Sequence, residues 1–391
     1  VKKLRTYLVH IGLFFITFLT TTLVGAEHVT GKLWLFAPAE HALEWADLSQ
    51  GLVYSVSFLT FLTFHEFGHY FTAIYYKVKT SLPYYIPIWI PGMLNIGSFG
   101  AIIRLEETPN STQKFFDIGI AGPLAGFVVS VMLIISGLMT LPSPESYILK
   151  IHPEYVQQFG GVPNEAAQTE FITKYNAAHP DSAIVAFSVG SNLLFEGLKR
   201  IVPHNHAYFP TSYELMHYPL LFVGFLTLFF TALNLLPIGQ LDGGHVIYGM
   251  FGRKNAAKVA KITVILLLFF GGTGFATFQN LEKEYYWIAF YLILLLFVIN
   301  ILMEKPQTYK VVLVASCIFL TQILLKLYLP FIQPNLIWLI YSVLSVRFID
   351  VEHPPALHEH IVNRPRQILG WIAIIIFILC FTPSPLSALG E

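Results

Sequence analysis

The chain has 391 residues, 55% of them hydrophobic and only 12% charged, and its mean hydropathy is positive. That is too apolar for a soluble domain and long enough for several spans, so the chain reads as an all-α polytopic membrane protein. A formal net charge of zero and the lack of a long basic run argue against a nucleic-acid partner. Cys317 and Cys380 both fall in apolar runs and are read as core thiols, forming neither a disulfide framework nor a cysteine-rich metal site.

Lys2, Lys3 and Arg5 precede the apolar run Leu8 to Ala26. The pattern fits a signal peptide with Val24-Gly25-Ala26 as its cleavage site, and it fits a retained first span with its N-terminus inside. The run is longer than the about 7–15 residues of a signal core, which favours the span. From Glu27 to Gln50, Glu27, Glu40, Glu44 and Asp47 outnumber Lys32, so this segment is expected to face outward.

The run Gly51 to Tyr76 carries one charge, Glu66, and is read as a membrane helix. On it, His65 and His69 sit at i and i+4, where two imidazoles on one face can hold one metal ion while Glu66 lies alongside to move a proton. Three ionisable side chains on an apolar helix are costly unless a metal or partner satisfies them. Lys77 and Lys79 mark the inner end. His65 lies roughly 21 Å down the helix from Gly51, which puts the site inside the bilayer, nearer the cytoplasmic face. A catalytic zinc takes three protein ligands and leaves a fourth position to water, so a third ligand must come from elsewhere.

Between Thr80 and Arg104 the chain is apolar but broken by Pro83, Pro87 and Pro91, with Gly97 and Gly100 around a strand-like stretch. This predicts a short re-entrant β-hairpin beside the active-site helix, with an edge able to pair with an extended peptide. Phe116 to Leu141 is the next span, and Gly119, Gly122 and Gly126 give it small-residue spacing that lets another backbone approach. The polar stretch Pro142 to about His217 is expected outside. Ala183 to Ile201 is read there as an amphipathic or partly embedded helix, and His152, His179, His204, His206 and His217 as surface histidines. Tyr218 to Pro237 runs back inward and leads to Asp242, the candidate third ligand; a structural Asp capping the next segment is the alternative. Asn234, two turns earlier, is placed to donate a hydrogen bond to an oxyanion. Pro237 and the pair Gly243-Gly244 are expected to break regular helix around Asp242.

His65-Glu66-Phe67-Gly68-His69, Asn234-Leu-Leu-Pro237 followed by Asp242-Gly243, and Gly119-Ile-Ala-Gly-Pro-Leu-Ala-Gly126 between them resemble the site-2 protease family of intramembrane zinc metalloproteases. Gly97-Ser-Phe-Gly100 resembles the family's re-entrant β-element. The resemblance covers about Gly51 to His245. It implies that His65, His69 and Asp242 bind one Zn2+, that Glu66 is the catalytic acid/base, and that Asn234 assists substrate or oxyanion. It also implies transmembrane protein substrates cleaved within or next to their spans, and it leaves open an upstream protease acting on the substrate ectodomain. Residues 142–217 lack a convincing run of alternating strands, so the chain looks closer to the PDZ-less branch with extra C-terminal spans.

The remaining spans are expected at Ile262 to Gln279, Tyr285 to Met303, Val311 to Leu329, Phe331 to Val346 and Ile368 to Pro383, about nine in all. Their flanking Lys and Arg residues alternate as a positive-inside topology in the cell (inner) membrane requires. The expected organisation is 1–50 for the first span and outward loop, 51–250 for the catalytic core, and 251–391 for the C-terminal spans. The loop Asp350 to Arg366, with His353, His358, Glu359 and His360, is expected on the cytoplasmic side and is read as solvated, with a second metal site as the alternative. The competing reading is an ion-coupled transporter using the intramembrane His, Glu and Asp. It predicts inverted repeats, and none is visible. A di-iron oxygenase needs more clustered histidines, and a dead protease would not need Glu66.

Overall fold

A computed structural model describes residues 2–36, 38, 41–91, 95–179, 186–275, 285–329 and 332–389. The chain divides into two compact units: residues 1–108, 120–234 and 373–391 form the first, and residues 109–119 and 235–372 the second.

The first unit opens with α1 (Lys2–Thr30) and, after a 3-10 turn, α2 (Leu52–Tyr75). The hydroxyls of Thr17, Thr21 and Thr22 donate to carbonyls four residues back, so these polar side chains cost little inside an apolar helix. A Cβ on Gly51 would strike the Thr22 carbonyl, and Thr21 Oγ1 lies 2.7 Å from Ser55 Oγ, so the start of α2 fits tightly against α1. The expected hairpin is present: β1 (Tyr84–Pro87) pairs antiparallel with β2 (Ser98–Ile102). The register shifts between Tyr85 and Pro87, where proline has no N–H to give the ladder. Thr20 Oγ1 donates to the Gly97 carbonyl at 2.7 Å, Tyr54 OH to that of Ile96 at 3.1 Å, and Tyr85 OH meets Thr63 Oγ1 at 2.7 Å. The hairpin is therefore fastened to both α1 and α2.

Next comes α3 (Thr112–Met139), whose residues from Ile120 onward belong to the first unit. The stretch after it folds as α4 (Pro144–Ile151), α5 (Tyr155–Phe159), α6 (Glu165–Ala178), β3 (Ala186–Val189) and α7 (Leu193–Ile201). Ser143, Asn164 and Asn192 each cap a helix by accepting a backbone N–H. The expected helix over 183–201 is corrected: only 193–201 is helical, while β3 pairs with β4 (Leu386–Leu389), and 183–185 lie outside the described residues. That second small sheet qualifies the all-α expectation. α8 (Pro219–Asn234) is almost wholly buried and packs on α3, with Gly224 against Ile134 and Gly137 against Leu221.

The second unit holds α9 (Asp242–Gly272), broken at Gly252 with φ of 75°, then α10 (Tyr285–Leu302), α11 (Thr308–Tyr328) and α12 (Leu336–Leu344), which a π-turn continues to Ile349. α13 (Arg364–Cys380) starts in this unit and ends in the first. α9 begins 20 residues before the span expected from Ile262, and Gln279 and Phe331, the bounds of two expected spans, lie outside the described residues. A buried polar pair ties three helices: Tyr291 OH donates to Gln322 Oε1 at 2.9 Å, and Gln322 Nε2 donates to the Phe269 carbonyl at 2.8 Å.

Among the described residues, five helices are long and apolar enough to cross a membrane: Leu4–Thr30, Thr112–Met139, Asp242–Gly272, Tyr285–Leu302 and Thr308–Tyr328. Pro219–Asn234 and Leu336–Ile349 are apolar but shorter. Trp287, Phe290, Ile293, Leu320 and Leu327 point outward from α10 and α11, the surface expected where lipid is the solvent.

Candidate metal centre

α2 sets out His65, Glu66 and His69, all less than a tenth exposed. One turn apart, the two imidazoles face each other with Nε2 atoms 3.1 Å apart and ring planes at 74°. Tetrahedral zinc with ligands at about 2.1 Å holds adjacent donor atoms about 3.4 Å apart, so the pair fits two vertices of such a site. Glu66 Oε1 lies 4.0 Å from His65 Nε2. Asn234, the last residue of α8, places Nδ2 3.4 Å from the same nitrogen.

Room for the imidazoles comes from α3. A Cβ on Gly122 would run into the His69 ring, one on Gly126 would press Phe61 and His65, and one on Gly68 would meet the Ala121 carbonyl. The small-residue stripe thus admits α2 and seats its two donors. Gly119 has a different task in the second unit, where it lies against the His245 ring.

Asp242 belongs to the second unit and is the first residue of α9, after Leu241 in an extended conformation. The turn before it bends at Gly239, with φ of 47°, and bonds from Ile238 N to Leu236 O and from Leu241 N to Ile238 O close it. Gly243 packs on the Leu235 and Leu236 carbonyls, and Gly244 on those of Ile238 and Gly239. These two glycines lie within α9 and let the turn fold onto it. The expected helix break is at 235–241, ahead of them.

The loop expected to be solvated is partly built into the second unit. His353 is 3% exposed, stacks on Tyr248 and meets His245 Nδ1 through Nε2 at 2.6 Å. Tyr248 OH donates to Glu359 at 2.8 Å. Burial pushes the His353 pKa down to about 4. Nothing in the spacing of His245 and His353, 108 residues apart, announced this pairing.

A profile of peptidase family M50 matches residues 53–271, which takes in α2, the hairpin, α3, α8 and most of α9. The chain belongs to peptidase family M50. The site-2 protease resemblance carried by His65 to His69, Asn234 and Asp242 is thereby shown, and with its apolar helices this M50 member is an integral membrane protein. The chain is similar to the probable zinc metalloprotease EGY1, chloroplastic, of Arabidopsis thaliana, 31% identical over 223 residues, 57% of this chain and 33% of that protein. It is 31% identical over 211 residues to the protein of the same name from Oryza sativa subsp. japonica, 54% of this chain and 30% of the relative. With the probable zinc metalloprotease EGY2, chloroplastic, of Arabidopsis thaliana it shares 26% over 250 residues, 64% of this chain and 35% of that protein. The chain therefore spans about a third of the length of these relatives. No solved structure matches it.

Proposed function

We propose that this M50 member is an intramembrane zinc endopeptidase that hydrolyses peptide bonds within or next to the spans of membrane proteins. The observation that carries the reading is the buried pair of Nε2 atoms on α2, 3.1 Å apart, with Glu66 beside them and Asn234 against His65. The names of the relatives, zinc metalloproteases, point the same way.

His65, His69 and Asp242 would hold the zinc. Asp242 is supported by the path of the chain: Asn234 touches His65, Leu235 is the next residue, and Gly243 returns to pack on the Leu235 carbonyl. Bound zinc supplies Lewis acidity, which makes water a nucleophile at neutral pH and polarises a carbonyl. Glu66 takes the proton of the attacking water and delivers it to the leaving amine. The Asn234 amide donates to the substrate carbonyl oxygen as negative charge develops there. A helical substrate hides its peptide bonds, so it must be held extended. Among the described residues β2 pairs only with β1, and its second edge is open to an unwound segment as a further strand.

In this reading the catalytic core occupies 51–250, the chain crosses the cell membrane about nine times, and the centre lies nearer the cytoplasmic face. Substrates are membrane-anchored proteins, with or without earlier trimming by another protease. The ion-coupled transporter has no comparable support. The test is incubation of the purified protein in detergent with a transmembrane-helix substrate and mapping of the product termini by mass spectrometry. Cleavage inside the hydrophobic segment by wild type supports the reading, and an intact substrate panel with zinc-loaded protein contradicts it.

A further inference from the structure

A second cluster lies in the first unit, on other elements than α2. His152 follows α4, Glu214 precedes the short turn that leads into α8, and His217 is the last residue of that turn. His152 Nε2 and His217 Nε2 are 3.2 Å apart, and Glu214 Oε2 lies 3.7 Å from the first and 3.6 Å from the second. Glu214 is 3% exposed and His217 4%, so His217 is not the surface residue expected from the sequence.

The hydrogen bonds around the cluster leave three lone pairs converging on one point. His217 Nδ1 donates to the Val29 carbonyl at 3.2 Å, and His152 Nδ1 donates to Glu154 at 2.9 Å. Each neutral ring therefore presents a bare Nε2. Glu214 Oε1 accepts from Tyr155 OH at 2.7 Å and from Gln168 Nε2 at 2.6 Å, while its Oε2 is buried with no hydrogen-bond partner. A shared proton would satisfy the two nitrogens and leave Oε2 bare, because 3.6 and 3.7 Å exceed a hydrogen bond. One cation satisfies all three atoms. Their separations of 3.2, 3.6 and 3.7 Å are close to the about 3.4 Å edge of a tetrahedron around zinc.

The geometry points to a second divalent-metal site, held by His152, Glu214 and His217 and suited to zinc. Two imidazoles and one carboxylate are a zinc donor set. Val29, Glu154, Tyr155 and Gln168 hold the donors in place, as the outer shell of a metal site does. The fourth position faces a cleft of about 410 Å3 bordered by Gly31, Tyr155 and Phe171, which admits water. Bound metal would fasten the segment after α4 to the entry of α8.

The test is zinc content per chain, by mass spectrometry of protein purified in detergent, for wild type, His69→Ala, His217→Ala and His217→Cys. About two equivalents in wild type, about one in each alanine variant, and recovery towards two with the cysteine donor are expected. A cysteine variant that binds again also shows that the fold survives at this position. Tyr155→Phe should weaken binding at this site about tenfold, the usual scale of an outer-shell loss. One equivalent in wild type, lost in His69→Ala and kept in His217→Ala, would overturn the proposal. One equivalent kept in His69→Ala and lost in His217→Ala would uphold it and contradict the α2 centre instead.

Discussion

Two histidine pairs in the first unit have nearly the same geometry, with Nε2 atoms 3.1 Å apart on α2 and 3.2 Å apart between His152 and His217. What surrounds them differs. On α2 a carboxylate, Glu66, sits 4.0 Å from one nitrogen of the pair, and an amide from α8 points at the same nitrogen. At the second cluster the carboxylate is one of the converging donors, and Tyr155 and Gln168 pin it. A third pair, His245 and His353, is joined differently. His353 Nδ1 lies 2.6 Å from the Pro354 carbonyl, so its Nε2 accepts from His245 Nδ1–H.

The hardest blow to this contrast is His69→Ala. It should reduce cleavage to background and remove one zinc while the His152 and His217 site stays loaded; loss of both metals together would mean that the two sites are not independent. Asn234→Ala should keep its zinc and lose about 10²–10³-fold in kcat, the scale of a missing oxyanion donor, as measured under saturating substrate. Gly122→Ala places a methyl group where the His69 ring lies. Zinc affinity and cleavage should fall together in that variant, and wild-type affinity would show that α3 does not confine the donors.

Smaller effects concern the second unit. Arg366 forms a forked pair with Asp117, with Nε and Nη2 each 2.8 Å from a carboxylate oxygen. Arg366→Ala should cost roughly 2 kcal/mol of stability, read as a lower melting temperature. For His353 the folded pKa lies below the ordinary 6.5 of an exposed histidine. The unfolded chain therefore binds the proton first as pH falls, so the His353 contribution is present above about pH 6.5 and is lost on the way to about pH 4. The melting temperature should drop across that window, and drop less in His353→Asn.

Much of the α2 centre was legible because its signal is local. His65, Glu66 and His69 lie within one and a half turns, and a charge in an apolar run has few uses. The hairpin was legible for a similar reason, since Pro83, Pro87, Gly97 and Gly100 forbid a helix. The rest depended on contacts between distant segments. β3 and β4 are four residues each and about 200 apart, with no periodicity long enough to read. His217 looked like a surface residue because its neighbours in sequence are polar, and its burial follows from Val29 and His152, brought from elsewhere in the chain. Glycines 122 and 126 were legible as packing residues, but their neighbours, the two imidazoles, were not.

The most direct measurement compares wild type with Glu66→Gln, quantifying bound zinc and cleavage of a transmembrane-helix substrate in the same preparations. Removing the proton carrier while leaving the donors intact should keep the zinc content of wild type and reduce turnover by about 10²–10⁴-fold. Cleavage by Glu66→Gln at the wild-type rate, with zinc retained, would contradict the role given to Glu66 and with it the catalytic reading of the α2 centre.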